Sequence, residues 1–189
     1  MVAGHDTTAG ALMWGLYHIH REHGVRDRVI AELHGASDPQ AMAELPYLSA
    51  VVSEALRMHP AVPIVMRRLT APLTVAGTQW APGDVVGIAV PALHFDPTIW
   101  PDPRRFDPGR FLGRNPTPFE YVPFGGGFRR CPGASFATYE LAVAIGTLMT
   151  SVELRMPRRQ LRRKPPRSVP RGIAVVPRRD VALEVIRRL

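Results

Sequence analysis

The single cysteine of this 189-residue chain has the surroundings that point most directly to chemistry. Cys131 follows a run of three glycines, Gly125–Gly127, and stands just before Ala134–Met149, whose hydrophobic pattern predicts a helix. At a helix N-terminus the free N–H groups and the helix dipole favour a thiolate, which is a nucleophile and a soft metal ligand. The alternative is a buried, inert cysteine in a glycine-rich turn. With one cysteine, an intrachain disulfide and a multi-cysteine zinc site are both excluded.

The ten residues from Phe124 to Gly133 fit the pattern Phe-x-x-Gly-x-Arg-x-Cys-x-Gly, with Gly127, Arg129 and Cys131 at the inner fixed positions. This pattern resembles the heme-binding signature of the cytochrome P450 monooxygenases. The resemblance implies a heme cofactor with Cys131 as its proximal ligand, whose electron donation favours O–O cleavage. It also implies that Arg129 pairs with a heme propionate and that Phe124 packs beside the thiolate. Gly127 and Gly133 complete the implied cofactor-binding loop.

The segment from Ala3 to Thr8 resembles the oxygen-activation segment of the long distal helix in the same family. The resemblance implies that Gly4 leaves room for dioxygen beside the heme. Asp6 and Thr7 are then the implied catalytic residues, which relay protons. Alternatively, Asp-Thr-Thr is an ordinary composition for the start of a helix.

Glu54 and Arg57 are three residues apart and therefore share one face of a predicted helix. An exposed ion pair of this kind stabilises a helix by only a few tenths of a kcal/mol. The family resemblance implies a third member, Arg110, in the loop Phe106–Phe111, with all three residues structural rather than catalytic. Gly109 stands where the family usually has Glu, which is a departure from the pattern.

The apolar stretch Pro60–Met66 follows the predicted helix that holds Glu54 and Arg57. By resemblance, it corresponds to a segment that lines the substrate pocket in the family. An ordinary buried strand would have the same pattern. Arg67 is the candidate for a second propionate contact, and Arg68 is the competing choice. His94 stands in a His-x-Asp-Pro context familiar from the family and is assigned no catalytic role. The candidate substrate-lining residues are Ala61, Val62, Ile64 and Val65.

Hydrophobic spacing and turn residues predict helices in residues 3–58 and in residues 134–149. Short strands are predicted between these two helical regions and after the second one. Helices are expected over 3–22, 26–34, from Asp38-Pro39 onward, over 47–58 and over 134–149. Strands are expected over 64–66, 73–75, 85–90, 152–156, 173–176 and 181–186. The fold class is therefore mainly α with small β-sheets (α+β), and the resemblance implies the C-terminal part of the cytochrome P450 fold, from the distal helix to the C-terminus.

One partial domain is expected to span the chain, with five segments named from the resemblance. These are the distal helix to the Glu-x-x-Arg helix in 1–60, a β region in 61–95, the meander and cysteine loop in 96–133, a proximal-side helix in 134–150, and C-terminal strands with a basic tail in 151–189.

The net charge of +8 is concentrated near the end of the chain. Residues 1–154 hold 12 Lys and Arg against 14 Asp and Glu, net −2, whereas residues 155–189 hold 12 against 2, net +10. A nucleic-acid-binding protein is disfavoured because the basic tail has no aromatic residue for base stacking. The apolar segments are too short to span a bilayer, and the start of the chain does not resemble a signal peptide, so a cytoplasmic protein is expected.

These observations predict a heme-thiolate monooxygenase that inserts one atom of O2 into a small, apolar substrate. The resemblance implies electrons from a redox partner, expected to be a ferredoxin with its reductase, for which Arg130 is the docking candidate. Family members are roughly twice this length or more, and the chain resembles only their C-terminal half, so the alternative is a truncated, non-catalytic fragment with weak or no heme binding. On that alternative Leu12, Trp14 and Tyr17 are expected to be exposed and to promote aggregation.

Overall fold

A computed structural model describes residues 2–172 and 174–189, with the side chains of Val2 and Ala3 excepted. Short 3-10 helices occupy Pro108–Phe111 and Gly127–Arg129. None of the described helices is both long and apolar enough to cross a bilayer. The seven α-helices in the described part are α1 Val2–Arg21, α2 Val25–Leu33, α3 Pro39–Glu44, α4 Pro46–Met58, α5 Val90–His94, α6 Ala134–Ser151 and α7 Arg158–Leu161.

Strands in the described residues form four antiparallel pairs: β1 with β4, β2 with β3, β5 with β8 and β6 with β7. In the first pair Val65 lies opposite Ile88, and in the last Val169 lies opposite Val176. The β5–β8 register shifts between Glu153 and Leu154. The bounds are β1 Ile64–Arg68, β2 Leu73–Val75, β3 Thr78–Trp80, β4 Val85–Ala89, β5 Val152–Arg155, β6 Ser168–Arg171, β7 Ala174–Pro177 and β8 Glu184–Arg188.

The core lies where α1, α2, α4 and α6 pack together, and it buries Ile19, Val29, Leu48, Val51 and Ile145. Helix α4 is buried on most sides, so its apolar residues contact several elements at once. Since one helix stripe cannot bury itself, this packing rather than helix propensity stabilises the bundle.

The helix starts follow local capping chemistry. Asp38 accepts a hydrogen bond from the Ala41 amide at 3.0 Å, and Pro39 opens α3, as the Asp-Pro pair predicts. The start of α4 is capped from a distance, because the Glu32 carboxylate accepts the amides of Tyr47 and Leu48, both at 2.8 Å. The sequence pattern does not reveal this second cap.

The structure corrects the prediction that Trp14 and Tyr17 are exposed. Both are 1% exposed, and they pack with Met156 in a second, smaller core beside the C-terminal strands. Leu12 is half-buried. The residues after 150 therefore cover this face of α1, which the expectation of an uncovered distal helix does not anticipate.

Several short elements differ from the sequence prediction. A two-residue turn with positive φ at Ala76 (49°) and Gly77 (78°) joins β2 to β3, and β3 was not predicted. Helix α5 ends the predicted β region. Strand β6 and helix α7 lie between the predicted strands 152–156 and 173–176, where no element was expected, and β8 begins three residues later than its predicted counterpart. Strand β7 matches the predicted strand 173–176, of which Ile173 lies outside the described residues.

Candidate functional site

The cysteine loop, residues 124–133, holds its shape through backbone hydrogen bonds. The Cys131 amide donates to the Phe124 carbonyl at 2.9 Å, and the Arg130 amide donates to the Gly127 carbonyl at 3.1 Å. Gly125 and Gly127 have φ of 69° and 61°, a left-handed conformation that a side chain strains. The loop therefore turns back on itself and leaves the side chain of Cys131 exposed.

The exposed thiol is a single soft donor at the start of a long helix. Cys131 stands three residues before α6, where the first amides of the helix favour negative charge. In the described part of the chain no cluster of three His, Cys, Asp or Glu residues could hold a metal ion by itself. This donor set suits a metal that brings its own equatorial ligands, as heme iron does, and it fits the group implied by the sequence.

The other side chains of the loop divide between core and solvent. Phe124 packs against the main core, so it fixes one end of the loop. Phe128, Arg129 and Arg130 are exposed, and neither arginine has an ion pair among the described residues. Arg129, predicted to pair with a propionate, is therefore open to an anionic group from outside the chain.

Glu54 and Arg57 form a fully buried ion pair, with both side chains 0% exposed. Arg57 donates from Nε to Glu54 Oε2 at 2.6 Å and from Nη2 to Glu54 Oε1 at 2.8 Å. Its remaining donors reach the carbonyls of His94 at 2.6 Å and Pro103 at 2.9 Å. The pair is thus not the exposed helix contact of the simpler interpretation, because it binds two distant chain segments.

Arg110 lies beside this pair. Its Nε is 3.4 Å from Glu54 Oε1, and its terminal nitrogens donate to the carbonyls of Pro101 and Asp102. Glu54 Oε1 also accepts the Asp107 amide at 2.9 Å. The structure therefore brings together the three residues that the family resemblance grouped, with the loop backbone as a further partner.

His94 connects the buried pair to the segment just before the cysteine loop, and the sequence analysis assigned it no catalytic role. Its Nδ1 lies 2.9 Å from the Arg57 carbonyl, and its Nε2 accepts the Val122 amide at 2.9 Å. This pattern requires a neutral ring with the proton on Nδ1. Burial lowers the pKa of His94 to about 4. A His-x-Asp-Pro context after a buried helix is the sequence signal that could have suggested this position.

Tyr121 makes a second connection, between α4 and the segment just before the cysteine loop. Its hydroxyl donates to the Ser53 carbonyl at 2.9 Å, and burial raises the pKa of this phenol. We call Glu54, Arg57, His94, Arg110 and Tyr121 the meander brace. Through it, α4 fixes the backbone two or three residues before Phe124.

The first turns of α1 carry the predicted catalytic pair. Thr7 Oγ1 donates to the Gly4 carbonyl at 3.2 Å, and Asp6 Oδ1 lies 3.0 Å from His5 Nδ1. Asp6 is exposed, and a Cβ at Gly4 would meet no atom within 4 Å. The start of α1 therefore places a carboxylate and a hydroxyl next to open space.

The predicted substrate stretch contains both half-buried and exposed positions. Ala61 and Val65 are half-buried, whereas Val62 and Ile64 are exposed. The Ala61 carbonyl accepts the Val175 amide at 2.9 Å, so strand β7 lies directly beside this stretch. Sequence reasoning did not include β7 in the site, because its strand signal says nothing about its neighbours.

Arg67 and Arg68 are both exposed on β1 and bond within their own sheet region. Arg67 donates to the Met66 carbonyl at 2.8 Å, and Arg68 donates to the Gly83 carbonyl at 2.7 Å. This geometry gives neither arginine a contact with the cysteine loop, so the choice between them stays open.

Known proteins share both the sequence and the fold of this chain. The sequence model of the cytochrome P450 family matches residues 1–182. The putative cytochrome P450 135B1 of Mycobacterium bovis is 41% identical over 156 residues, which cover 82% of this chain and 32% of that protein. Human cytochrome P450 4F3 is 36% identical over 177 residues, which cover 87% of this chain and 34% of that protein.

A solved structure gives the same result for the fold. The crystal structure of the cytochrome P450DA heme domain superposes with a TM-score of 0.85 at 27% identity, covering 98% of this chain and 41% of that one. The chain spans about a third of the length of the curated relatives named above. By sequence match, fold and the residues of its cysteine loop, this chain belongs to the cytochrome P450 family.

Proposed function

We propose that this chain provides the thiolate-bearing part of a heme monooxygenase that inserts one atom of O2 into a small, apolar organic substrate. The observation that carries the proposal is the exposed Cys131 thiol near the end of a loop that is closed by the Phe124 carbonyl and preceded by residues that the meander brace holds. Heme bound there would supply oxygen activation assisted by electron donation from the sulfur.

The cysteine loop would hold the cofactor from one side. Cys131 would bind the iron, and the amides at the start of α6 would stabilise its negative charge. Arg129 is exposed and unpaired with any described carboxylate, so its guanidinium is available for a propionate. Phe124, which packs against the core at one end of the loop, would exclude water from the sulfur.

The first turns of α1 would manage protons on the oxygen side. Asp6 is exposed, so its carboxylate is in contact with solvent. Thr7 Oγ1 holds its proton against the Gly4 carbonyl, next to the position where glycine leaves open space. Together the two side chains would carry protons from solvent toward that space.

Two further surfaces would act on the substrate and on the electron donor. Ala61, Val62, Ile64 and Val65 would supply an apolar wall, which favours apolar substrates. Arg130 is exposed on the cysteine loop, and an acidic redox partner such as a ferredoxin, reduced by its own reductase, would be steered toward it.

Reconstitution of the purified chain with hemin tests the thiolate proposal. After reduction and addition of CO, the chain is expected to give the red-shifted Soret band of a thiolate-ligated heme. The Cys131→Ser variant is expected to lose that band, while Ser135→Ala, a change on the neighbouring exposed helix turn, keeps it. An identical spectrum from Cys131→Ser would show that another residue binds the iron.

A further inference from the structure

A small recess lies between the C-terminal end of α1, the residues around α7 and the segment 178–181. It has a volume of about 30 Å³. This volume holds one small polar group or one to two waters. The polar and charged residues that line the recess are Tyr17, Gln160, Arg163, Lys164, Arg179 and Asp180.

Hydrogen bonds between distant residues hold the walls of the recess in place. Arg21 donates to the carbonyls of Gln160 (3.4 Å), Leu161 (3.3 Å) and Arg163 (3.0 Å), which ties α1 to the residues around α7. Gln160 Oε1 accepts the Ala182 amide at 3.0 Å, so the amide group of Gln160 has one defined orientation. The recess is therefore a formed feature of the fold.

Two of its lining side chains carry buried donors without a partner among the described residues. These are the Tyr17 hydroxyl, in a residue that is 1% exposed, and Gln160 Nε2. Arg21 lies over the Tyr17 ring, 5.6 Å from its centroid, and its guanidinium interacts with the hydroxyl oxygen, but a guanidinium can only donate, so the hydroxyl proton still lacks an acceptor among the described residues. Buried polar groups are nearly always hydrogen-bonded, so two unpartnered donors in one recess indicate a missing acceptor.

The charges around the recess indicate what kind of acceptor fits. Arg163, Lys164 and Arg179 are exposed, and none of them has an ion pair with a described residue. Asp180 is the one carboxylate among the lining residues, so the net charge of the side chains that line the recess is +2. A phosphate monoester carries a charge of about −1.5 to −2 and several acceptor oxygens. A carboxylate would leave one of these positive charges without a counterpart.

We propose that this recess binds a phosphate dianion, either inorganic phosphate or the terminal phosphate monoester of a larger molecule, with its inner oxygens inside the recess and the rest of the group at the open rim. Tyr17 and Gln160 donate to its oxygens from inside, and Arg163, Lys164 and Arg179 neutralise it from the rim. The proposal is independent of the cysteine loop, because none of the lining residues belongs to that loop.

Titration of the full chain with inorganic phosphate, at constant ionic strength and followed calorimetrically, tests the site. Tyr17→Phe removes only the hydroxyl and is expected to weaken binding about tenfold, the effect of one hydrogen bond to a charged group. Gln160→Glu keeps the acceptor for the Ala182 amide but replaces the donor with a negative oxygen, and is expected to weaken binding further. Arg188→Gln, in β8 outside the recess, is the matched charge control and is expected to change binding less than twofold.

Vesicles of phosphatidic acid, compared with phosphatidylcholine vesicles, distinguish a lipid source from a free phosphate. Binding of inorganic phosphate, or of phosphatidic acid vesicles alone, that depends on Tyr17 and Gln160 supports the site and identifies its source. Binding that is insensitive to both changes but weakened by Arg188→Gln, or no binding to either probe, overturns the proposal. Circular dichroism monitors folding, and Arg179→Gln replaces Tyr17→Phe if that variant does not fold.

Discussion

The meander brace holds the residues just before the cysteine loop, yet the two regions are built in opposite ways. In the brace, Glu54 and Arg57 are fully buried, and their charged groups are bonded to each other and to backbone groups from three chain segments. In the cysteine loop, the side chains of Phe128, Arg129, Arg130 and Cys131 face solvent, and backbone hydrogen bonds together with the packing of Phe124 against the core fix the turn. The brace is therefore expected to contribute stability, whereas the loop leaves its thiol and two arginines accessible to solvent.

The largest expected effect comes from removing one member of the buried pair. Glu54→Ala leaves the Arg57 guanidinium buried without its counter-charge, and we expect the free energy of unfolding to fall by about 3–5 kcal/mol in urea denaturation. The matched control is Glu184→Ala, which breaks the exposed pair with Arg155 and is expected to cost less than about 1 kcal/mol. Equal losses in the two variants would contradict the contrast between buried and exposed charges.

Lowering the pH tests the brace through His94. Its pKa is about 4 in the folded protein and 6.5 in the unfolded chain, so the unfolded chain binds more protons between these values. The free energy of unfolding is therefore expected to decrease by about 3 kcal/mol as the pH falls from 6.5 to 4. Burial also lowers the pKa of His18 and of His59, which act in the same direction.

Denaturation curves at pH 7, 6, 5 and 4.5 measure this dependence. The variant His94→Gln is expected to be less stable at pH 7 but to lose less stability on acidification. If the free energy of unfolding depends on pH equally in this variant and in the original protein, His94 takes no part in the acid sensitivity.

A smaller effect is expected from the backbone of the cysteine loop. Gly127 has φ of 61°, and a Cβ added there would meet no atom within 4 Å, so Gly127→Ala introduces backbone strain without a clash. We expect a loss of about 1 kcal/mol in thermal or urea unfolding. Gly126→Ala is the control, because its φ of −153° suits any residue and its surroundings are equally open. Similar losses at both positions would argue against the strain.

The smallest expected effect comes from the thiol itself. Cys131→Ser changes an exposed side chain, so the free energy of unfolding without heme is expected to stay within about 0.5 kcal/mol of the original. A clearly larger loss would show that the thiol stabilises the fold, and the contrast between loop and brace would no longer hold. The measurement is the same urea denaturation, carried out before any heme is added.

The sequence predicted the long elements well, because their patterns are local. Helices α1, α4 and α6 lie within a few residues of their predicted bounds, and the Asp38-Pro39 cap opens α3. Short elements such as β3, α5 and β6 were not predicted, because three to five residues are too few to show a helical or strand-like repeat of apolar side chains.

What the sequence could not supply is the set of contacts across distant segments. The burial of Trp14 and Tyr17 depends on residues after 150, which no pattern in α1 foretells. The same holds for the His94 contact with Val122 and for the Val175 contact with Ala61. The grouping of Glu54, Arg57 and Arg110 came from a family resemblance, because spacing alone suggested an exposed pair.

The shared carboxylate of Glu54 has a consequence for how the molecule opens. Its Oε1 accepts both an Arg57 donor and the amide of Asp107, which lies 53 positions further along the chain. The irregular segment around Asp107 cannot detach without admitting water to the charges on α4. Amide hydrogen exchange at Asp107 is therefore expected to be as slow as exchange in the middle of α4, although the segment has little regular secondary structure of its own.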